Sequence, residues 1–261
     1  MTGRMLSEKT GGIGWMTFSN PAKRNAMSLD MWAQLSDILA DFRADPAIRV
    51  VVMQGDGDRA FVSGADISQF ESSRNDAESA AAYAAVSDGA RAALNSFDKP
   101  LIALIRGYCL GGGLGIAMAA DLRFAAADAR FGIPAANLGI AYSADNLRRL
   151  VNLVGPAAAK DILFSARRLD AEEALRLGLV SRVVAPEALE DEVRAYAATL
   201  AEKAPLSLRA SKAIVNELTK PESAQDPGVV RAHVEACFNS ADYTEGRRAF
   251  MEKRTPVFQG R

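Results

Sequence analysis

The fold of this chain is decided by two neighbouring stretches, Leu101-Ile102-Ala103-Leu104-Ile105 and Leu110-Gly111-Gly112-Gly113-Leu114-Gly115. The first is short and wholly apolar, which predicts a buried strand. The second runs into Ile116-Ala117-Met118-Ala119-Ala120, so its glycines lie where a helix begins. Glycines let a ligand approach the main chain, and the N–H groups at a helix start lack helical acceptors. The turn therefore predicts a donor site for an oxygen that gains negative charge.

Two other interpretations of the glycine turn are a tight turn with close packing and a phosphate-binding loop. The phosphate loop is disfavoured, because the run has neither a Gly-Lys-Ser/Thr ending nor GxGxxG spacing. The oxyanion interpretation gains support from a partner segment, Arg59-Ala60-Phe61-Val62-Ser63-Gly64-Ala65-Asp66-Ile67. This segment follows an apolar run at residues 49–54, which predicts another strand.

Short patterns along nearly the whole chain have the order and spacing found in the enoyl-CoA hydratase/isomerase, or crotonase, superfamily. They lie at residues 20–27, 63–67, 107–113, 121–123, 131–134, 177–180 and 249–254. The chain resembles this superfamily, which implies an α/β fold: a crotonase-like spiral of ββα turns over residues 1–200. Residues 201–261 would then form a C-terminal helical region that assembles the protein into homotrimers or dimers of trimers.

The resemblance also implies which residues bind the substrate, an acyl-coenzyme A thioester. The backbone N–H groups of Ala65 and Gly112 would form the oxyanion hole. Coenzyme A would enter as part of the substrate, with no prosthetic group and no metal. Its predicted binding residues are Lys23, Arg24, Ala26, Ser63, Asp66, Ile67, Phe250 and Lys253. Basic groups suit a polyphosphate, although Lys253 also fits a solvated helix face, and Asp66 in this family mainly supports the loop that carries Ala65.

The two carboxylates that hydratases of this superfamily use are missing. Hydration of an enoyl thioester needs an acid/base pair that holds one water molecule. The positions of the two family glutamates are occupied here by Gly115 and Ala135. The sequence therefore predicts a different reaction on the same thioester scaffold, or a paralogue that binds acyl-CoA without catalysis. A role in RNA binding is disfavoured, because no basic cluster supports it.

Tyr142 and Asp145 are the candidates to replace the lost carboxylates. Residues 134–142 are similar to bacterial methylmalonyl-CoA decarboxylases, in which a tyrosine matching Tyr142 borders the reacting carboxylate. Those enzymes carry a histidine where this chain has Ala65 and a glutamate where it has Gly115. A related dehalogenase branch uses an aspartate at the position of Ser143, so Asp145 does not match it. Asp145 also fits an ordinary residue in the first turn of a helix.

Bulk properties exclude several other functions. The chain has 261 residues and a formal net charge of −1, which predicts one large domain, or one with a helical tail, and no nucleic-acid or anionic-membrane partner. No apolar run is long enough for a signal peptide or a membrane span. The only histidine, His233, disfavours serine–histidine hydrolases and histidine metal sites. Cys109 and Cys237 form no disulfide framework, which favours a cytoplasmic location.

Periodicity and capping residues place the remaining elements. Ser28 predicts a helix N-cap, and Asp170 with Glu173 predicts a capping box for a helix that stops at Gly178. Cys109 is expected to be a packed small side chain. Strands are predicted at 13–18 and 122–126, and helical segments at 69–98, 144–153, 156–164, 187–203, 205–219 and from about Ser240.

Overall fold

The computed structural model describes residues 3–66 and 77–261, with side chains in the second stretch from residue 81 onward. The strands are β1 Arg4–Thr10, β2 Ile13–Ser19, β3 Val50–Gly55, β4 Ala60–Val62, β5 Leu101–Ile105, β6 Tyr108–Leu110, β7 Leu122–Ala126, β8 Arg130–Gly132 and β9 Arg182–Val184. The helices are α1 Leu29–Ala44, α2 Ala77–Asn95, α3 Gly112–Ala119, α4 Ala144–Ser165, α5 Ala171–Arg176, α6 Leu189–Ala201, α7 Pro205–Leu218, α8 Pro227–Phe238 and α9 Ala241–Glu252. Short 3-10 turns lie at Pro21–Lys23, Pro134–Leu138 and Glu222–Ala224.

These strands form two sheets between which the chain alternates. The larger has the order β1-β2-β3-β5-β7-β9, and the smaller has the order β4-β6-β8. Apart from the antiparallel pair β1–β2, the pairings are parallel. Each step from β3 to β4, β5 to β6 and β7 to β8 crosses from the large sheet to the small one, and helices return the chain. This arrangement is the predicted ββα spiral.

Alternating side chains of the large sheet supply two separate cores, as the two-residue period of a strand requires. Met16 of β2 belongs to the same buried cluster as Leu35 of α1. Its neighbour Trp15 points to the opposite face and belongs to a second cluster with Val52 of β3 and Val193 of α6. The sheet is thus buried on both faces, which fits its nearly continuous apolar strands.

Helix caps predicted from the sequence are confirmed, with one correction. The Ser28 hydroxyl accepts a hydrogen bond from the Met31 N–H at 3.3 Å, and the Asp170 carboxylate accepts one from the Glu173 N–H at 2.8 Å. The predicted capping box is wrong in its second half. The Glu173 carboxylate binds the guanidinium of Arg167 at 2.7 and 2.8 Å, because a bidentate ion pair is stronger than a bond to the neutral Asp170 amide.

The long helix α4 is two helices joined at a kink, as predicted. Gly155 has φ 78° and ψ 165°, and Pro156 follows it. Proline has no N–H to donate and fits the first turn of a new helix, so the break falls between the two predicted segments. The helical stretch predicted for 69–98 contains α2; its first residues lie outside the described residues. Strand β1 and the three-residue strands were not predicted.

The C-terminal helices separate into two groups. Helix α6 packs on the large sheet, whereas α7, α8 and α9 pack chiefly on one another. The last group leaves large apolar side chains exposed: Phe238 is 60% exposed, Phe250 83% and Met251 80%. In the part of the chain that the structure describes, no helix is long and apolar enough to cross a membrane.

Candidate active site

The glycine run brings α3 against the end of β4. Gly111 is the N-cap of α3 and has φ 50° and ψ −119°, a conformation that a side chain would strain. A β-carbon placed on Gly113 would overlap the carbonyl oxygen of Val62, so only glycine permits this approach. The helix start predicted from the sequence is therefore held directly beside the segment that carries Ala65.

The main chain of Ala65 lies beside that of Gly112. Ala65 forms a parallel bridge with Met27, in which Met27 N–H binds the Gly64 oxygen and Asp66 N–H binds the Met27 oxygen, both at 2.9 Å. Because successive peptides of an extended chain point to opposite sides, the Ala65 N–H faces away from Met27. A β-carbon built on Gly112 would lie 3.9 Å from the Ala65 nitrogen. Gly112 is the first residue of α3, so its N–H has no acceptor within the helix.

The turn at residues 20–27 supports the Ala65 loop from below. The buried amide of Asn25 donates to the carbonyl oxygens of Ala60 at 2.8 Å and Asp56 at 3.0 Å. The Ser63 N–H donates to the Arg24 oxygen at 3.1 Å. These bonds explain why two segments far apart in sequence form one surface.

The residues of these two segments that are predicted to bind coenzyme A lie close together. The Lys23 ammonium binds the Asp66 carboxylate at 2.7 Å, and this carboxylate is buried while Lys23 is 47% exposed. The pair ties the turn to the loop, which agrees with a supporting role for Asp66. Ala26 is buried. Ile67 lies outside the described residues.

Arg168, which was not predicted from the sequence, adds a second guanidinium beside that of Arg24. Arg24 lies over the ring of Tyr108 with 5.2 Å between its guanidinium carbon and the ring centroid, and Arg168 lies over the same ring at 5.3 Å. Cation–π contacts hold both side chains next to the glycine run. The sequence does not distinguish Arg168 from its neighbour Arg167, whose guanidinium forms ion pairs with Asp161 and Glu173 instead.

Phe250 and Lys253 lie elsewhere, at the end of α9. Lys253 is the C-cap of that helix with φ 55°, and Phe250 lines an apolar groove with Tyr243 and Phe258. The contacts of α9 are with α8 and the C-terminal tail. The described residues of this chain therefore do not bring these two side chains to its own Ala65 loop, and their role in coenzyme A binding stays a prediction.

The volume above Gly115 is occupied by two polar side chains. A β-carbon built on Gly115 would lie 2.7 Å from Nδ2 of Asn146 and 3.0 Å from the Tyr142 hydroxyl. That hydroxyl donates to the Gly111 carbonyl oxygen at 2.8 Å. Burial raises the pKa of Tyr142 above its usual range. Tyr142 is thus a neutral hydrogen-bonding group at neutral pH and a poor proton donor.

Asn146 is a site residue that the sequence analysis did not find. It lies in the first turn of α4, one position after the candidate Asp145. The described residues supply no hydrogen bond to its side-chain amide. Only the packing of α4 against α3 brings it over Gly115, so a local pattern could not reveal it.

A cavity of about 350 Å³ continues from Gly115 along α3. Gly115, Ile116 and Ala119 line it, and with Gly112 they form one face of the helix at the spacing i, i+3, i+4, i+7. The opposite wall contains Asp145 and Asn146 of α4 and Asp88 and Arg91 of α2. Arg91 is bonded to Asp88 at 2.8 Å. The structure thus places Asp145 on the wall of a cavity that Gly115 also lines. Ala135 is buried in the 3-10 turn that follows Ile133.

Cys109 lies under this surface and is fully buried, as predicted. Burial raises the pKa of its thiol, which disfavours the thiolate form. The described residues contain no cluster of histidine, cysteine, aspartate and glutamate side chains that could hold a metal ion.

Comparison with known proteins agrees with this architecture. A family model described as enoyl-CoA hydratase/isomerase matches residues 8–261. The chain belongs to the enoyl-CoA hydratase/isomerase family. A crotonyl-CoA hydratase of Syntrophomonas wolfei subsp. wolfei is 35% identical over 254 residues, covering 97% of each chain. A carnitinyl-CoA dehydratase of Citrobacter koseri is 36% identical over 258 residues, covering 96% of each.

Solved structures of the family superpose on nearly the entire fold. An enoyl-CoA hydratase/carnithine racemase from Magnetospirillum magneticum gives a TM-score of 0.91 at 36% identity, covering 98% of this chain and 96% of that one. An enoyl-CoA hydratase from Bacillus anthracis gives 0.92 at 28% identity, covering 99% and 100%. The chain is therefore a family enzyme that processes acyl-CoA.

Proposed function

We propose that this enzyme binds an acyl-CoA thioester and stabilises the oxyanion or enolate of its carbonyl group with the N–H groups of Ala65 and Gly112. The observation that supports the proposal is the close approach of the two main-chain segments: a β-carbon built on Gly112 would lie 3.9 Å from the Ala65 nitrogen. Preorganised N–H donors aimed at developing negative charge are the largest single source of stabilisation in many acyl-transfer sites.

Its chemistry does not use the paired carboxylates of a hydratase. Neither Gly115 nor Ala135 can hold or activate water, and the space over Gly115 is filled by Asn146 and Tyr142. The names of the crotonyl-CoA hydratase and carnitinyl-CoA dehydratase relatives support acyl-CoA as the substrate class. The proposed reaction therefore differs from hydration by two glutamates.

Decarboxylation of a methylmalonyl-type thioester is the second candidate, and the Tyr142 hydroxyl next to Gly115 favours it. This reaction needs no general base, because the substrate carboxylate supplies the electron pair. The bond between carbons 2 and 3 breaks, carbon dioxide leaves, and the electron pair becomes the thioester enolate held by Ala65 and Gly112. A proton then adds to carbon 2.

Coenzyme A binding would use two chains. Lys23, Arg24, Ala26, Ser63 and Asp66 lie beside the Ala65 loop, and Arg168 adds charge. Since Phe250 and Lys253 do not reach this loop within one chain, a neighbouring copy would supply them. The exposed apolar side chains of α8 and α9 support assembly as a homotrimer or a dimer of trimers.

The test is a panel of thioesters with purified protein, made in a host without its own hydratases. Crotonyl-, malonyl- and methylmalonyl-CoA are assayed for turnover, and the affinity for each and for free coenzyme A is measured by calorimetry. Turnover of a carboxylated thioester supports the decarboxylase. Tight binding with no turnover of any thioester replaces the enzyme with an acyl-CoA-binding paralogue. Absence of binding to every thioester overturns the proposal.

A further inference from the structure

The peptide unit that joins Gly111 to Gly112 presents two groups to two different partners. A trans peptide is planar, so the Gly111 carbonyl and the Gly112 N–H lie in one plane and point in opposite directions. Whatever fixes the Gly111 oxygen therefore fixes the Gly112 N–H, one of the two donors of the proposed oxyanion hole.

This peptide unit has little steric restraint of its own. It is flanked by glycine on both sides, and neither residue has a β-carbon to limit rotation of the plane. The N-cap Gly111, with φ 50°, is already outside the region that other residues favour. The Gly111 N–H is held by the Gly132 oxygen at 2.8 Å, and hydrogen bonds to the Gly111 oxygen act directly on the plane of the next peptide.

Two groups donate to the Gly111 oxygen. The Gly115 N–H makes the first helical bond at 3.1 Å, and the Tyr142 hydroxyl makes a second bond at 2.8 Å. The helical bond holds the oxygen along the α3 axis, whereas the hydroxyl reaches it from the segment before α4. Donors to a peptide carbonyl also polarise the peptide and strengthen the N–H at its other end as a donor.

We propose that Tyr142 is a positioning residue: its hydroxyl holds and polarises the Gly111–Gly112 peptide so that the Gly112 N–H points at the thioester oxygen. This role rests on the oxyanion hole of the proposed function, and it differs from proton transfer to the substrate. The hydroxyl proton is already directed at Gly111, whereas a proton donor would direct it at the acyl chain.

The position of Tyr142 suits this role. Its ring packs against the main hydrophobic core, and the next residue, Ser143, is at the N-cap position of α4. Removing the hydroxyl alone should leave the ring, the core and the helix start in place. The resulting effect then reports on the Gly111–Gly112 peptide.

The experiment measures polarisation of a bound thioester directly. Acetyl-CoA labelled with carbon-13 at the carbonyl is bound to the full-length protein, and the carbonyl stretching band is recorded by infrared difference spectroscopy. The intact protein should shift the band to lower frequency than in water. Tyr142→Phe should reduce that shift to about half, with the affinity for free coenzyme A unchanged and turnover of the best thioester about tenfold lower.

Tyr196→Phe is the matched control, because this tyrosine packs on Phe124 and belongs to the second core. It should leave the band unchanged. An unaltered shift in a folded Tyr142→Phe protein overturns the positioning role alone. If the intact protein binds acetyl-CoA without any shift, the oxyanion hole itself is wrong and the proposed function fails with it.

Discussion

Gly115 and Asn146 depend on each other: a β-carbon on Gly115 would lie 2.7 Å from the Asn146 amide nitrogen, closer than real β-carbons come to other atoms. The absence of a side chain at 115 therefore makes room for the amide. Hydratases of the family, by the resemblance, carry a glutamate here. In this chain the Asn146 amide occupies the space that a side chain at position 115 would need.

Replacing Gly115 with alanine should destabilise the protein. In a helix interior this substitution normally stabilises by about 1 kcal/mol, but overpacking costs about 1–3 kcal/mol. We expect a net loss of about 1 kcal/mol in the free energy of unfolding, measured by urea denaturation. In an Asn146→Ala background Gly115→Ala should lower the free energy of unfolding by less, because the Asn146 amide nitrogen that the new β-carbon would meet is gone.

Gly89→Ala provides the control for that measurement. Gly89 also lies in a helix, α2, and nothing stands within 4 Å of a β-carbon placed there. This substitution should stabilise the protein. Equal effects of Gly115→Ala with and without Asn146 would contradict the coupling between the two residues.

The fold was largely accessible from the sequence because its main elements are locally encoded. Strand β5 is one apolar run, and the caps Ser28 and Ser240 mark two helix starts. The strands of the small sheet have only three residues, too few to show a period, and they exist because parallel neighbours supply their hydrogen bonds. Glu173 shows a different limit, since a nearby arginine outcompetes the local cap.

The site was accessible only in part. The glycine run and the Ala65 loop carry family patterns, so their meeting could be inferred from the resemblance. Asn146 and Arg168 carry no such pattern, and they reach the site only through the packing of α4 and the contact with Tyr108. Tyr142 was predicted as a site residue. Its hydrogen bond to Gly111 was not, because it depends on the direction of the Gly111 carbonyl group, which no sequence pattern indicates.

Crotonyl-CoA hydration should be slower than in two-glutamate relatives by several orders of magnitude, because each acid/base group contributes about 10²–10⁴-fold. The rate is measured as loss of enoyl absorbance with purified protein. Rapid hydration would contradict this expectation and would show that Tyr142, Asp145 or Asn146 holds the water.

Placing glutamates at positions 115 and 135 tests more directly why crotonyl-CoA hydration should be slow. Gly115→Glu with Ala135→Glu should remain slow, because Asn146 occupies the space that the first glutamate needs. Adding Asn146→Ala should raise the hydration rate well above that of the double variant. Similar rates for the double and triple variants would show that Asn146 does not block the glutamate.

Gly112→Pro should abolish thioester turnover, with a loss of about 10²–10³-fold in kcat, because it removes one oxyanion donor. Proline suits the first position of a helix, and a β-carbon there meets nothing closer than 3.9 Å. Circular dichroism should show the fold intact, and free coenzyme A should bind as before. Full turnover in this variant would mean that the Gly112 N–H is not a donor to the substrate.

Asp145→Asn distinguishes a catalytic role of Asp145 from a structural one. If Asp145 transfers a proton, this variant should lose turnover while Tyr142→Phe retains part of it. If Asp145 only favours the start of α4, turnover should be kept and the free energy of unfolding should fall by about 0.3–1 kcal/mol. Both quantities are measured on the same preparations, so either result decides between a catalytic and a structural carboxylate.

Lys99 should make stability rise with pH in the alkaline range. Its side chain is 1% exposed, and its ammonium donates to the carbonyl oxygens of Phe42 at 2.5 Å and Asp45 at 2.7 Å. Burial, helped by the charge of Arg209, lowers the pKa of Lys99 from 10.5 to about 8. A neutral amine still has two N–H groups for the two carbonyls, so deprotonation relieves the desolvation cost without losing a bond.

The sign follows from proton binding in the two states. Between pH 8 and 10.5 the unfolded chain holds the proton on Lys99 and the folded chain has lost it, so stability increases with pH in this window. The free energy of unfolding of the natural protein minus that of Lys99→Met should therefore rise by up to about 3 kcal/mol from pH 7 to 10. Lys203→Met, at an exposed position, should give a flat difference. A flat difference for Lys99→Met as well would mean that Lys99 keeps its proton in the fold, held by the two carbonyl groups.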